Sequence, residues 1–414
     1  MRQESGRVRR RRVFYIPGYD PIHPPRYREI YRKEAAAQAE ISGYEIALKG
    51  RPASQKSGGL YGWDVTANMD GDQTHATVEV LIWSDIVRDS MQLSIPATYW
   101  LMLKTAWTYI ASGTLWRLMR LRKGPVIAAL YPIGMLIVQL VVAGLAGWAA
   151  GGLIRAGIGW AGLGGAAPAI GFWLGFLLVL GLLLRWFRSI DNKIYAYYLM
   201  HDYAYSARTR GANPPELEAR MAEFANAIAE ALAGDADEVL VVGHSSGAHL
   251  GVSVLADLIR DGRVPGRGPA LGFLTLGQVV PMVSFLPEAQ RLRADLAYLS
   301  TRDELFWLDV TAPGDGCAFA LCDPVSVSGV APAAGKRWPL VISAAFTQTL
   351  SPARWAELRW KFFRLHFQYL CAFDRPGDYD YFRITAGPQT LASRYADRKP
   401  SKSRIDISAS KYTS

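Results

Sequence analysis

Two stretches of this chain carry no charged residue, Gly124 to Ile154 and Ala156 to Leu184. Each is long enough to cross a hydrocarbon core of about 30 Å at about 1.5 Å per residue. Uncharged runs of this length are rare in the cores of soluble domains, where the competing reading is a pair of buried helices. The two runs therefore predict a transmembrane hairpin with spans at about 125–150 and 164–186, joined through Ile154-Arg155-Ala156-Gly157-Ile158-Gly159. Gly147 and Gly151 in the first run, and Gly171 and Gly175 in the second, have the four-residue spacing that lets membrane helices approach closely.

The flanks orient the hairpin. Arg117, Arg120, Arg122 and Lys123 precede the first span and Arg185, Arg188 and Lys193 follow the second, whereas the connection holds Arg155 alone. Positive residues stay inside, so both ends are expected in the cytoplasm, in an integral protein of a bacterial-type inner membrane. The opening residues have no apolar core ahead of their basic cluster, hence no expected signal peptide. A formal charge of +10 at pH 7 raises the possibility of nucleic acid, but no basic-aromatic RNA motif or zinc-finger spacing accompanies it, and no nucleic-acid partner is expected. Just before the hairpin, Tyr99, Trp100, Trp107, Tyr109 and Trp116 lie in a segment with a basic end. It reads either as an interfacial segment in the headgroup layer or as an ordinary core helix with a positive flank.

Outside the hairpin, strands and helices alternate. Strands are predicted at 12–16, 76–83, 238–242, 271–276, 305–310 and 340–345, with helices at 25–41 and from Pro214 to Gly234. This order predicts an α/β fold, a mostly parallel, doubly wound sheet interrupted by the hairpin between its second strand and the strand at 238. The expected divisions are 1–97 and 196–395 for the two parts of the soluble domain, 98–195 for the interfacial segment and hairpin, and 396–414 for a basic polar tail expected to be disordered.

Between the strand at 238 and an apolar helix stands Gly243-His244-Ser245-Ser246-Gly247. G-x-S-x-G is short enough to arise by chance, so its weight comes from the strand before it and the helix after it. In that setting Ser245 is the residue on the sharp turn, Gly243 and Gly247 permit the strand and helix to approach, and the backbone N–H of Ser246 points where an oxyanion would form.

With this unit, an early strand ending in Ile16-Pro17-Gly18-Tyr19-Asp20, and acids and a histidine following the serine, the chain resembles the α/β-hydrolase superfamily, more loosely its lipase-like members. The resemblance covers the two soluble parts and leaves the hairpin outside. It implies a second oxyanion donor in the loop after an early strand, from Gly18 or Tyr19. It implies a base after the last strand, and of six histidines only His366 follows it. An acid is expected at the C-terminal end of a strand, where Asp315, in Pro313-Gly314-Asp315-Gly316, fits best, with Asp323 of Asp323-Pro324-Val325 as the alternative.

The expected activity is that of a serine esterase, lipase-like, with a triad of Ser245, His366 and an aspartate acting on a membrane lipid or other apolar ester. The alternative is an inactive hydrolase-fold scaffold or partner-binding protein. No metal or organic cofactor is expected. Cys317, Cys322 and Cys371 are too few for a disulfide framework and read as small core residues, and His244 and His249 as packing residues or as supports behind the site.

Overall fold

A computed structural model of the chain describes residues 6–22, 24–51 and 60–414. Its main elements run β1 (Arg10–Ile16), α1 (Pro25–Ser42), β2 (Glu45–Gly50), β3 (Tyr61–Met69), β4 (Asp72–Val80), α2 (Ile95–Ala111), α3 (Lys123–Trp160), α4 (Ala167–Ser189), α5 (Ala196–Arg208), α6 (Pro215–Leu232), β5 (Glu238–His244), α7 (Gly247–Arg260), β6 (Ala270–Leu276), α8 (Gln290–Leu299), β7 (Leu305–Thr311), β8 (Leu340–Ser343) and α9 (Phe362–His366). The chain divides into two compact units, one of Met1–Asp89, Tyr109–Pro125 and Thr209–Ser414, the other of Ser90–Thr108 and Val126–Arg208. The second is wider than the expected 98–195 and leaves out the stretch just before the apolar run.

The first unit is α/β, built on one eight-stranded sheet of order β2-β3-β4-β1-β5-β6-β7-β8. From β4 to β8 all neighbours are parallel, and β2 and β3 add an antiparallel edge. β5 lies between β1 and β6, and all seven of its residues are buried, which its valine-rich run suits. α7 packs on β5 and against α6 and α8, so the turn between β5 and α7 is held by the best-buried part of the molecule.

Every predicted strand is present with ends shifted by a few residues, while β2 and β3 went unrecognised. Gly62, Asp64 and Asn68 lower the strand propensity of β3, and pairing to β4 overrides it. One signal was legible: Asp70-Gly71, with φ of 55° and 83°, is the tight turn joining β3 to β4.

The tail departs from expectation. Ser401 N donates to Val341 O at 2.9 Å, Ile405 N to Leu321 O at 2.7 Å, and Asp323 N to Ile405 O at 2.8 Å. Composition suggests disorder there, but the polar backbone is satisfied by carbonyls and amides of β8 and of the loop after β7, which only the fold provides.

In the second unit, α3 and α4 are both long and apolar enough to cross a membrane, each with mean hydropathy 2.3 over its best window. They pack through the glycines. A Cβ at Gly147 would lie 2.8 Å from Phe176 O, one at Gly151 would lie 2.6 Å from Phe172 O, and one at Gly175 would lie 3.4 Å from Gly151 Cα. The connection is a correction: Arg155 lies inside α3, which continues to Trp160, and the turn follows it, with Gly162 and Gly165 at φ of 74° and 70°. Alanine, isoleucine and the intervening glycines extend the helix because only a positive φ, not small size alone, stops it.

α2 presents Leu101 and Met102 to Leu136, Tyr197 and Met200, and Tyr99 Oη donates to Leu136 O at 2.9 Å. Its other side leaves Trp100, Leu103, Trp107 and Ile110 exposed at helical spacing, Trp107 by 71%. An ordinary core helix would not leave that stripe uncovered.

Candidate active site

β5 ends at His244 and α7 starts at Gly247, so Ser245 and Ser246 alone make the turn. Ser245 takes a φ of 55°, left-handed backbone that costs a serine about 1–3 kcal/mol. Its neighbours hold it there: Ser245 N donates to Leu276 O at 2.9 Å and Ala248 N to Ser245 O at 3.1 Å. The glycines on either side are required by proximity. A Cβ at Gly243 would lie 2.6 Å from Gly247 O, and one at Gly247 would collide with Ile16 O. Ser246 caps α7, in the first turn, where backbone N–H groups lack acceptors within the helix.

The loop after β1 reaches the same turn. A Cβ at Gly18 would lie 2.9 Å from Ser245 Cβ and 3.3 Å from its Oγ, so Gly18 brings bare backbone against the serine. Trp83 secures that loop, its Nε1 donating to Pro17 O at 3.0 Å and its ring meeting Tyr19 edge-on at 6.0 Å.

His366 closes α9, and its Nδ1 is 2.8 Å from Asp315 Oδ2. Asp315 also accepts from Cys317 N at 2.9 Å and from Tyr369 Oη at 3.0 Å, while Tyr369 Oη accepts from Ala312 N at 2.9 Å. Burial pushes the Asp315 carboxyl up, but the charge of His366 and the donors on both oxygens outweigh it and hold the group below its ordinary value. An ionised acceptor at Nδ1 fixes the proton on that nitrogen and makes Nε2 the basic one.

His244 joins the two halves. Its Nε2 donates to His366 O at 3.0 Å, its Nδ1 accepts from Tyr15 Oη at 3.3 Å, and its ring lies 4.9 Å from that of His366. Burial, then repulsion from His366, lowers it to about 3, so it is neutral. Gly277, at φ of 53°, leaves room for the same cluster, since a Cβ there would lie 3.1 Å from His366 Cε1. His366 and Asp315 thus meet beside His244, the residue before Ser245, at the C-terminal ends of β5, β6 and β7.

The alternative acid lies apart from this cluster. Asp323 caps the helix Pro324–Val327, accepting from Val325 N at 3.0 Å and Ser326 N at 3.1 Å, and pairs with Lys336 Nζ at 2.5 Å. Asp309, inside β7, accepts from Thr275 Oγ1 at 2.6 Å and is pushed up by burial to about 8. His249 is buried in α7 and lowered to about 4 by burial; His75 is on β4, His201 on α5, and His23 outside the described residues.

Cys322 is buried, as expected of a core residue, but Cys317 and Cys371 are only half-buried. The ligand atoms of Cys317, Asp315 and His366 lie within 4.8 Å of one another.

Trp83, Tyr369 and Gly277 were not recognised from sequence, whereas His244 takes one of its two expected roles, as a support behind the site. Of those three only Gly277 left a trace in the sequence, as a glycine directly after a strand; the others are aromatic residues like any core residue until their partners are known. Comparison with protein-family models, curated proteins and solved structures finds no match to this chain.

Proposed function

We propose that the chain is a membrane-anchored serine hydrolase of the α/β-hydrolase type, cleaving a lipid or other apolar carboxylic ester through an acyl-enzyme. The observation that carries this reading is a serine held at positive φ on a strand-to-helix turn, joined through His244 to a histidine whose Nδ1 is bonded to a buried, ionised aspartate.

In this reading His366 Nε2 takes the proton of Ser245 as Oγ attacks the ester carbonyl. The negative charge on the carbonyl oxygen falls to the backbone N–H of Ser246 and that of Gly18 or Tyr19. The imidazolium, stabilised by Asp315, returns the proton to the leaving alcohol. Water then attacks the acyl-enzyme, giving its proton to Nε2, which passes it to Ser245 Oγ as the Oγ–acyl bond breaks and the acid is released. The two apolar helices, with Arg and Lys at the ends remote from their connection, would anchor the domain on the cytoplasmic face of a bacterial-type inner membrane. Anchoring raises the effective concentration of any ester dissolved in that membrane.

A fluorophosphonate probe should label the full chain at Ser245, and Ser245→Ala should abolish labelling and lower ester turnover by about 10³-fold or more. An unlabelled wild type with intact fold would instead favour the inactive scaffold.

A further inference from the structure

The segment that delivers His366 has a second character. Between Pro352 and His366 stand Arg354, Arg359, Lys361 and Arg364 against one acid, Glu357. Trp360 and Phe362 point to solvent, 72% and 50% exposed, and the Arg359 guanidinium lies 5.5 Å from the Trp360 ring centre. Cations alternating with exposed aromatics suit a headgroup layer, the rings entering the apolar boundary and the charges meeting anionic lipid. A second copy of the chain would bring like charge to like charge.

The patch is coupled to the acid. A Cβ at Gly316 would lie 3.3 Å from Phe362 Cδ1, and one at Gly314 would lie 2.6 Å from Trp355 Cη2, so this segment braces the Asp315 turn from both sides. It also adjoins the start of the apolar helix: a Cβ at Gly124 would lie 3.2 Å from Gly316 O. Ile127 and Leu130, exposed and within about two turns further along that helix, begin the surface a bilayer would cover. At 38 residues, or about 57 Å, α3 exceeds the hydrocarbon core and would be accommodated by tilting.

We propose that the patch of Arg359, Trp360, Lys361, Phe362 and Arg364 docks on an anionic lipid bilayer, seating the Asp315–His366 side of the site at the lipid surface. The proposal rests on the membrane reading of the hairpin, and its link to catalysis rests on the hydrolase reading.

The test uses the full chain in nanodiscs of phosphatidylcholine alone or with about a third phosphatidylglycerol. Hydrogen exchange over 356–364 should slow in the anionic discs, and the variant Arg359→Gln/Trp360→Ser/Arg364→Gln should lose that protection. The same variant should lose about tenfold in turnover of a long-chain ester carried in anionic discs while keeping its turnover of a short-chain soluble ester. Equal exchange in the two discs overturns the docking surface. So does protection by monomeric lysophosphatidylglycerol but not by discs, which would make the patch a substrate subsite, and so does protection in lipid-free detergent, which would make it a contact between copies. Absent turnover of both esters, with the exchange difference intact, would count against the hydrolase reading and leave the docking surface standing.

Discussion

At the scale of single residues, the site is decided by which oxygen faces which nitrogen. Asp315→Asn should keep the fold and lower kcat by about 10³–10⁴-fold, because an amide no longer enforces the Nδ1–H tautomer of His366. Asp323→Ala should leave kcat near wild type and cost about 0.5–2 kcal/mol of stability as a lost helix cap; ester turnover and thermal unfolding in detergent separate the two, and the opposite pattern would reverse the assignment. Asp309 gives a pH signature. Its folded value, about 8, stands above the ordinary 3.8, so its contribution to stability is present below about pH 4 and is lost as pH rises through 8. Asp309→Asn should therefore gain on the wild type as pH rises from 5 to 9, by a few kcal/mol at the alkaline end, and a gap independent of pH would contradict the buried neutral acid. His244 acts in the other direction: with a folded value of about 3 against 6.5, it contributes stability above pH 6.5 that is lost as pH falls toward 3.

At the scale of elements, glycine placement separates contact from accident. Gly151 of α3 lies against Phe172 O, whereas a Cβ at Gly152 would meet nothing within 4 Å. Gly151→Leu should force α3 and α4 apart and lower the melting temperature in detergent, while Gly152→Leu should leave it unchanged; equal losses would mean that the helices do not pair along this face. The stripe was visible in the sequence because four-residue spacing is a local property. The end of α3 was not, because Gly157 and Gly159 resemble stop signals and yet sit within the helix. The same holds at the sheet edge, where β3 exists through its pairing with β4 despite weak propensity. For α2, the aromatic residues were legible but the exposed side was not, since exposure depends on what packs against the opposite face.

At the scale of the whole molecule, two segments between β4 and β5 make the apolar second unit, and the rest of the chain makes the α/β unit. A C-terminal reporter active only in the periplasm should be silent, and one placed in the turn after Trp160 should be active; the reverse would overturn the orientation drawn from the basic flanks. The sequence by itself determined the segments: the uncharged runs, the strand-turn-helix around Ser245, and the alternation that implies a largely parallel sheet. Each depends on residues close together in the chain, where periodicity and charge are directly readable. Only the tertiary structure decided that Asp315 rather than Asp323 meets His366, that His244 and Tyr369 hold the pair, and that the polar tail is bound to β8 and to the loop after β7. Those contacts join residues dozens to hundreds of positions apart, and which of several equivalent side chains is brought into range is settled by the packing of strands and loops, which no local pattern encodes.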